Sequence, residues 1–180
     1  KGDEEVVGAI FEAVSRNIGS KFDVVLRHAH LSALDRLATV EQILARAQSD
    51  SVEERLVSVL ALRRRADGNL ITFLNDPSPL VRMESIRAIY DTSALDGLAG
   101  KKLAETDPVE YPLYIQYRIA GANFRLGTNE SAQRLIEFGA NSKIESEVRV
   151  FALNGLLRWG MELNTDPVLG HYRPMPAVSS

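Results

Sequence analysis

Cysteine is missing altogether from the 180 residues. With it go a disulfide scaffold, a thiolate metal site, a thioether-linked haem and a cysteine nucleophile, while the redox compartment stays open. No apolar run approaches the ~20 residues that span a bilayer. Neither sign of charge dominates: 21 Lys and Arg stand against 24 Asp and Glu, with a sequence pI near 5.7. Such a chain has no global field to draw in a polyanion, and nucleic-acid binding would need a local patch. Hairpin signals are scarce, since no Asn-Gly or Asp-Gly joins two alternating apolar runs and Asp67-Gly68 falls between helical patterns. The start, KGDEEVVGAIFEAV, lacks both Met and the charged and apolar regions of a leader, so it reads as a segment of a longer protein. What is present, 45% hydrophobic and 25% charged residues, is ordinary globular composition.

Helix starts recur along the chain. Thr39 with Gln42, Ser51 with Glu54 and Ser142 with Glu145 have the spacing of a capping box, in which hydroxyl and carboxylate or amide satisfy orphan backbone donors. Ser78-Pro79 and Asp107-Pro108 set a cap residue before a proline whose missing N–H costs nothing in a first turn. With Ser20, Ser93 and Thr128-Asn129 as weaker caps, the pattern predicts about ten helices, near 3–18, 21–38, 40–48, 52–66, 69–75, 79–91, 94–105, 109–127, 130–140 and 145–162.

The second helix of each pair aligns on one column, Arg27, Arg55, Arg82, Gln116 and Arg149, at spacings of 28, 27, 34 and 33 residues. Self-similarity at that period marks a helical repeat. Six residues further on stand Ala33, Ala61, Ala88, Ala122 and Gly155, small enough for neighbouring helices to approach closely. At helical pitch Arg82 lands inside an apolar arc formed by Val81, Met83, Ser85, Ile86, Ala88, Ile89 and Tyr90. A guanidinium there must be paired or hydrogen-bonded, and Asp50, Asp76 and Asp107, each just ahead of a second helix, are candidate partners. The column is therefore read as a structural fastener and not as an anion site, because repetition serves stacking whereas a ligand needs local convergence.

The stretch Asp76-Pro-Ser-Pro-Leu-Val-Arg-Met-Glu-Ser-Ile-Arg-Ala-Ile89 resembles a HEAT repeat of the short, roughly 30-residue form. The likeness extends over about residues 20–162 and is weakest in the fourth unit, where Gln116 replaces the arginine and Asn123 enters an apolar column. It implies an all-α, right-handed α-α superhelix of about five helix pairs. The units fall near 1–38, 39–66, 67–92, 93–127 and 128–162, in one repeat domain over 1–163 followed by an extended tail or linker at 164–180. The tail's Asp166-Pro-Val-Leu-Gly-His-Tyr-Arg-Pro174 is similar to the exit segment after the HEAT-like part of large exported multidomain dehydrogenase and cytochrome c proteins of planctomycete-type bacteria. That resemblance implies an exported or periplasmic parent; without it a cytoplasmic one is equally open.

No residue is assigned a catalytic role. His28 and His30 stand about 200° apart on one helix and cannot share a metal, and His171 lies in the tail. No metalloprotease, nucleophile-elbow, P-loop or dinucleotide motif is present, so no cofactor and no metal are expected. Trp159, at the end of the last helix, is read as sealing the last repeat.

Function is sought instead on the outward columns. They give Arg36, Arg64, Asp91, Arg125 and Arg158, then Val57, Glu84, Arg118 and Phe151, and then Leu60, Arg87 and Asn154. On a concave face these form a basic stripe interrupted by Asp91, with apolar spots at Val57, Leu60 and Phe151. Arginines near helix ends are also favoured by the dipole alone. The leading expectation is a monomeric, non-enzymatic scaffold holding a partner protein or a neighbouring domain of its own chain. The alternative, a glycosylase-like nucleic-acid groove, is weakened by the acidic pI and by Asp91.

Overall fold

A computed structural model describes residues 3–16 and 24–175. Ser20, the start of the expected 21–38 helix and residues 176–180 of the tail lie outside them. Among the described residues the chain is mostly helical, with nine α-helices, three short 3₁₀ segments and one two-stranded ribbon. It divides into two compact units, 1–88 and 89–180, where the sequence pattern predicts one repeat domain and a tail.

The first unit holds α1 (Glu4–Arg16), α2 (Val24–Leu37), α3 (Val40–Leu44), α4 (Val52–Arg64) and most of α5 (Pro79–Asp91). Thr39 closes the full predicted capping box with Gln42. Ser51 caps α4 by accepting from the Glu54 amide, but the Glu54 carboxylate takes the Ser15 hydroxyl at 2.6 Å and does not reach back. α4 ends in a Schellman turn: Asp67 N donates to Leu62 O at 3.0 Å and Ala66 N to Arg63 O at 3.0 Å. Ala66 sits there at φ 50, a conformation usually left to glycine. The helix predicted at 69–75 is a 3₁₀ segment, Gly68–Phe73, started by the Asp67 carboxylate on the Asn69 amide. Phe11, Leu34, Ile43, Leu62 and Phe73 fill the core of this unit.

The second unit contains the end of α5, α6 (Leu98–Ala104), α7 (Leu113–Leu126), α8 (Asn129–Ala140), α9 (Ser146–Leu157), β1 (Leu163–Thr165) and β2 (Tyr172–Met175). α7 packs against α6, α8 and α9 through Ile115, Ile119 and Leu135, all fully buried. It starts at Leu113 and not near 109, because Pro112 occupies its N-cap. Asp107 therefore caps no helix; its carboxylate receives the Val109 amide in a turn. Ser142 likewise starts nothing, and α9 begins after Glu145. Thr128 does cap α8, and Gly127 ends α7 at φ 63, where an L side chain would be strained. Trp159 packs edge-on to Phe124 of α7, with ring centroids 6.1 Å apart.

The predicted arc of α5 is borne out closely: Val81, Ser85, Ile86, Ala88, Ile89 and Tyr90 are buried and Met83 is half-buried. The fasteners differ from expectation in their partners. Asp76 does receive an arginine fork, but from Arg55 of α4, at 2.8 and 3.2 Å, with both side chains more than nine-tenths buried. Arg55 also donates to Ser49 O at 2.5 Å in its own leading turn. Arg82 reaches the backbone, Asp76 O at 2.7 Å and Pro77 O at 3.2 Å. Asp50 and Asp107 are exposed. In the second unit Gln116 does the same double work without charge, donating to Tyr111 O at 2.9 Å and accepting from the Glu145 amide at 3.1 Å. Arg149 donates to Gly139 O at 3.0 Å, and Arg27 is half-exposed. Arg55, Arg82 and Gln116 each satisfy a turn carbonyl and Arg149 one in the last turn of α8, and Arg55 and Gln116 also hold the turns that precede α5 and α9.

Candidate interaction surfaces

In the first unit α2, α4 and α5 line an open groove of about 510 Å³. Its floor is apolar, made by Leu31, Leu56, Leu60 and Leu80, and Leu80 is 51% exposed. Arg27, His28, Arg63, Glu84 and Arg87 edge it. Glu84 is bridged by Arg63 at 3.1 Å and Arg87 at 3.0 Å, so one carboxylate is shared by two guanidiniums. Arg64, as predicted, is the exposed member of the Arg63-Arg64-Arg65 run; it meets His28 Nδ1 at 3.2 Å and the Ser32 hydroxyl at 3.3 Å. Arg65 turns inward onto the carbonyls of Leu34, Asp35 and Ala38. Leu60 and Arg87, from one predicted column, and Glu84, from another, therefore converge. Val57 does not join them: it is fully buried, because the wide apolar arc of α4 covers that side as well. Arg36 is exposed at the end of α2.

The second unit treats its share of the stripe differently. Arg118 is forked onto Asp91 at 2.9 and 3.3 Å and also donates to Tyr114 O. Asp91 thus pairs with a member of the predicted stripe, Arg118, instead of merely interrupting it. Phe151 stacks edge-on against Tyr117 at 5.3 Å, while Asn154 and Arg158 are exposed. Arg125 is largely covered, pairing with Asp96 at 2.7 Å and with Asp166 at 3.5 Å.

That last pairing belongs to a cluster the sequence reading did not find. The segment predicted as an extended tail is, over Leu163–Met175, an antiparallel ribbon, Leu163 facing Met175 and Thr165 facing Tyr172. In the turn joining its strands the Asp166 carboxylate is fully buried, receiving the amides of Val168 and Leu169 at 2.9 Å each and the Tyr90 hydroxyl at 3.0 Å. Arg173, 5% exposed, donates to Tyr90 O at 2.6 Å, Asp96 at 2.5 Å and Asp166 at 3.4 Å. Gly121 makes room for the turn: a Cβ there would collide with the Tyr90 hydroxyl and stand 2.7 Å from Val168 Cγ2. The sequence pattern left this stretch as a tail or linker, because a buried ion cluster in which Asp166 meets a residue 76 positions away leaves no local signal.

Burial, followed by the charge and hydrogen bonding of Asp166, holds the Tyr90 phenol well above its ordinary value of 10.0. In the unfolded chain the phenol ionises at that ordinary value, so above about pH 10 the unfolded state binds fewer protons and stability falls as pH rises. The expected result is an alkaline decline between about pH 10 and 11.5, followed by Trp159 fluorescence, that is shallower in Tyr90→Phe. Equal slopes would remove Tyr90 as its cause.

These observations define a mostly helical protein in which α4, α5 and α7 are pinned to turns, with an apolar groove edged by arginines in the first unit and a ribbon fixed by a buried ion cluster in the second. No family model, curated protein or solved structure matches the chain. No group of His, Asp and Glu able to hold a metal occurs among the described residues, and no helix there is long and apolar enough to cross a membrane.

Proposed function

We propose that this chain is a non-enzymatic repeat scaffold, a right-handed α-α superhelix of about five HEAT-like helix pairs within a larger protein, that holds a partner protein segment or a neighbouring domain. The observation that carries the repeat reading is the recurring anchor. Arg55 reaches the turn before α5 and Gln116 the turn before α9, a way of fixing the position of the next helix pair that stacking requires. The partner reading rests on the first-unit groove, where an apolar floor lies beside Arg63 and Arg87, which share the one carboxylate of Glu84, and suits a short peptide carrying an acidic residue beside an apolar one. A basic nucleic-acid groove fits less well, because Arg63 and Arg87 share Glu84, and Arg118 and Arg125 are held by aspartates. The exit-segment likeness suggests an exported parent.

A peptide-display selection on the full chain tests the groove. Enrichment of acidic-apolar peptides whose binding is reduced at least about tenfold by Leu80→Asp, an exposed position, is the expected result. Retention on duplex DNA with a steep salt dependence, and no peptide enrichment, would transfer the surface to nucleic acid.

A further inference from the structure

α9 buries Val148, Ala152 and Gly155 against its own unit, with Gly155 under Phe124 of α7. Its opposite side is apolar as well. Val150, Leu153 and Leu157 fall within about 60° of one another at helical pitch, and all three are exposed, Val150 by 56% and Leu157 by 79%. Gly139 lets α8 close up beside this strip, since a Cβ there would stand 2.6 Å from Leu153 Cδ2. That contact sets the register of the antiparallel hairpin, and Ile136 of α8, also exposed, then lies on the same face beside the last turn of α9. Four of the thirteen large apolar side chains left exposed among the described residues are gathered on this one face. Exposed leucines scattered singly are ordinary, whereas a strip of this kind marks an interface.

The charges beside the strip select the partner. Glu147 and Arg158 stand eleven residues apart, about three helical turns, and therefore on one side of α9, the side away from α8. Both are exposed, and neither joins an ion pair among the described residues; the Ser146 hydroxyl donates to Glu147 at 2.8 Å. A two-fold axis across the middle of α9 sets the helix antiparallel on its copy and brings this charged flank against itself in reverse. Glu147 of each copy then stands over Arg158 of the other, one pair at each end of the strip. Parallel helices would instead oppose Glu147 to Glu147 and Arg158 to Arg158. The pattern is self-complementary, which is the requirement of an isologous interface. We propose that the outer α8–α9 face is the interface of a homodimer of this chain, in place of the monomer expected from the sequence. Val150, Leu153 and Leu157 pack on their copies, Ile136 extends the apolar contact, and two Glu147–Arg158 pairs close its ends. This surface is independent of the first-unit groove.

Sedimentation equilibrium of the full chain is the test. We expect the mass to rise with concentration from 19.9 kDa toward twice that value, half-complete at micromolar concentration. Leu157→Asp should weaken the association at least about tenfold while the far-UV circular dichroism is unchanged, because the position is exposed in the single chain. Val150→Asp, at a second exposed position, replaces it if Leu157→Asp disturbs the fold. Glu147→Arg and Arg158→Glu should each weaken self-association about tenfold by setting like charges over one another. An equimolar mixture of these two variants should regain the dimer, because both ion pairs re-form between the two kinds of chain. The proposal is overturned by a chain that stays monomeric up to about 1 mM, by a dimer indifferent to the aspartate variants, or by a mixture of the charge-reversed variants that associates no better than either alone.

Discussion

Replacing Asp166 with alanine should cost the second unit about 3–5 kcal/mol, the range for removing one partner of a buried ion cluster. The carboxylate is fully buried and accepts from Tyr90, from the Val168 and Leu169 amides and from Arg125 and Arg173. Without it the two guanidiniums retain a single carboxylate, Asp96, between them, and two turn amides lose their acceptor. Asp166→Asn should cost less, because Oδ1 can still take both amides. The check is urea unfolding followed by fluorescence of Trp159, the only tryptophan. A loss under about 1 kcal/mol for Asp166→Ala would show that the ribbon is not held by this cluster.

Arg55→Met should be almost as damaging to the first unit, again about 3–5 kcal/mol, because it leaves the Asp76 carboxylate buried without its fork. The comparison with Arg82→Met is informative: that guanidinium is half-exposed and its bonds to Asp76 O and Pro77 O are to carbonyls, so about 0.5–1.5 kcal/mol is expected for each bond lost. The double variant Arg55→Met with Asp76→Asn should recover part of the loss, since it no longer buries an unpaired charge. Native-state hydrogen exchange of α4 amides measures all three. Equal losses for Arg55→Met and Arg82→Met would contradict the division of labour seen here, in which Asp76 joins one helix by its carboxylate and the next by its carbonyl.

Much of this was legible without coordinates. Helical periodicity placed the elements, because a 3.6-residue pattern is a local property of the chain. The buried side of α5 followed from the same pattern. Caps were legible where a hydroxyl lay three residues ahead of a free amide, as at Thr39. They failed at Ser142 and Asp107, where the same residue types build turns because the chain does not go on into a helix. That an arginine inside an apolar arc must be satisfied also followed from the sequence, since a buried guanidinium without partners is too costly.

Which partner satisfies it was decided only by tertiary structure. Asp76 stands six residues before Arg82 and twenty-one after Arg55, and nothing in the spacing says that its carboxylate prefers the distant arginine. Outward positions on a wheel did not tell Val57, covered by packing, from Leu60, open in the groove. The ribbon shows this most clearly: its strands, of three and four residues, are too short for a strand pattern to register. It is stable through Asp166 and Arg173, whose partners Tyr90, Asp96 and Arg125 come from elements remote in sequence. Sequence alone determined the helices and the need for anchors, because both follow from local periodicity and desolvation. The meeting of those charges in one place required the fold, because long-range pairing depends on packing that no local window contains.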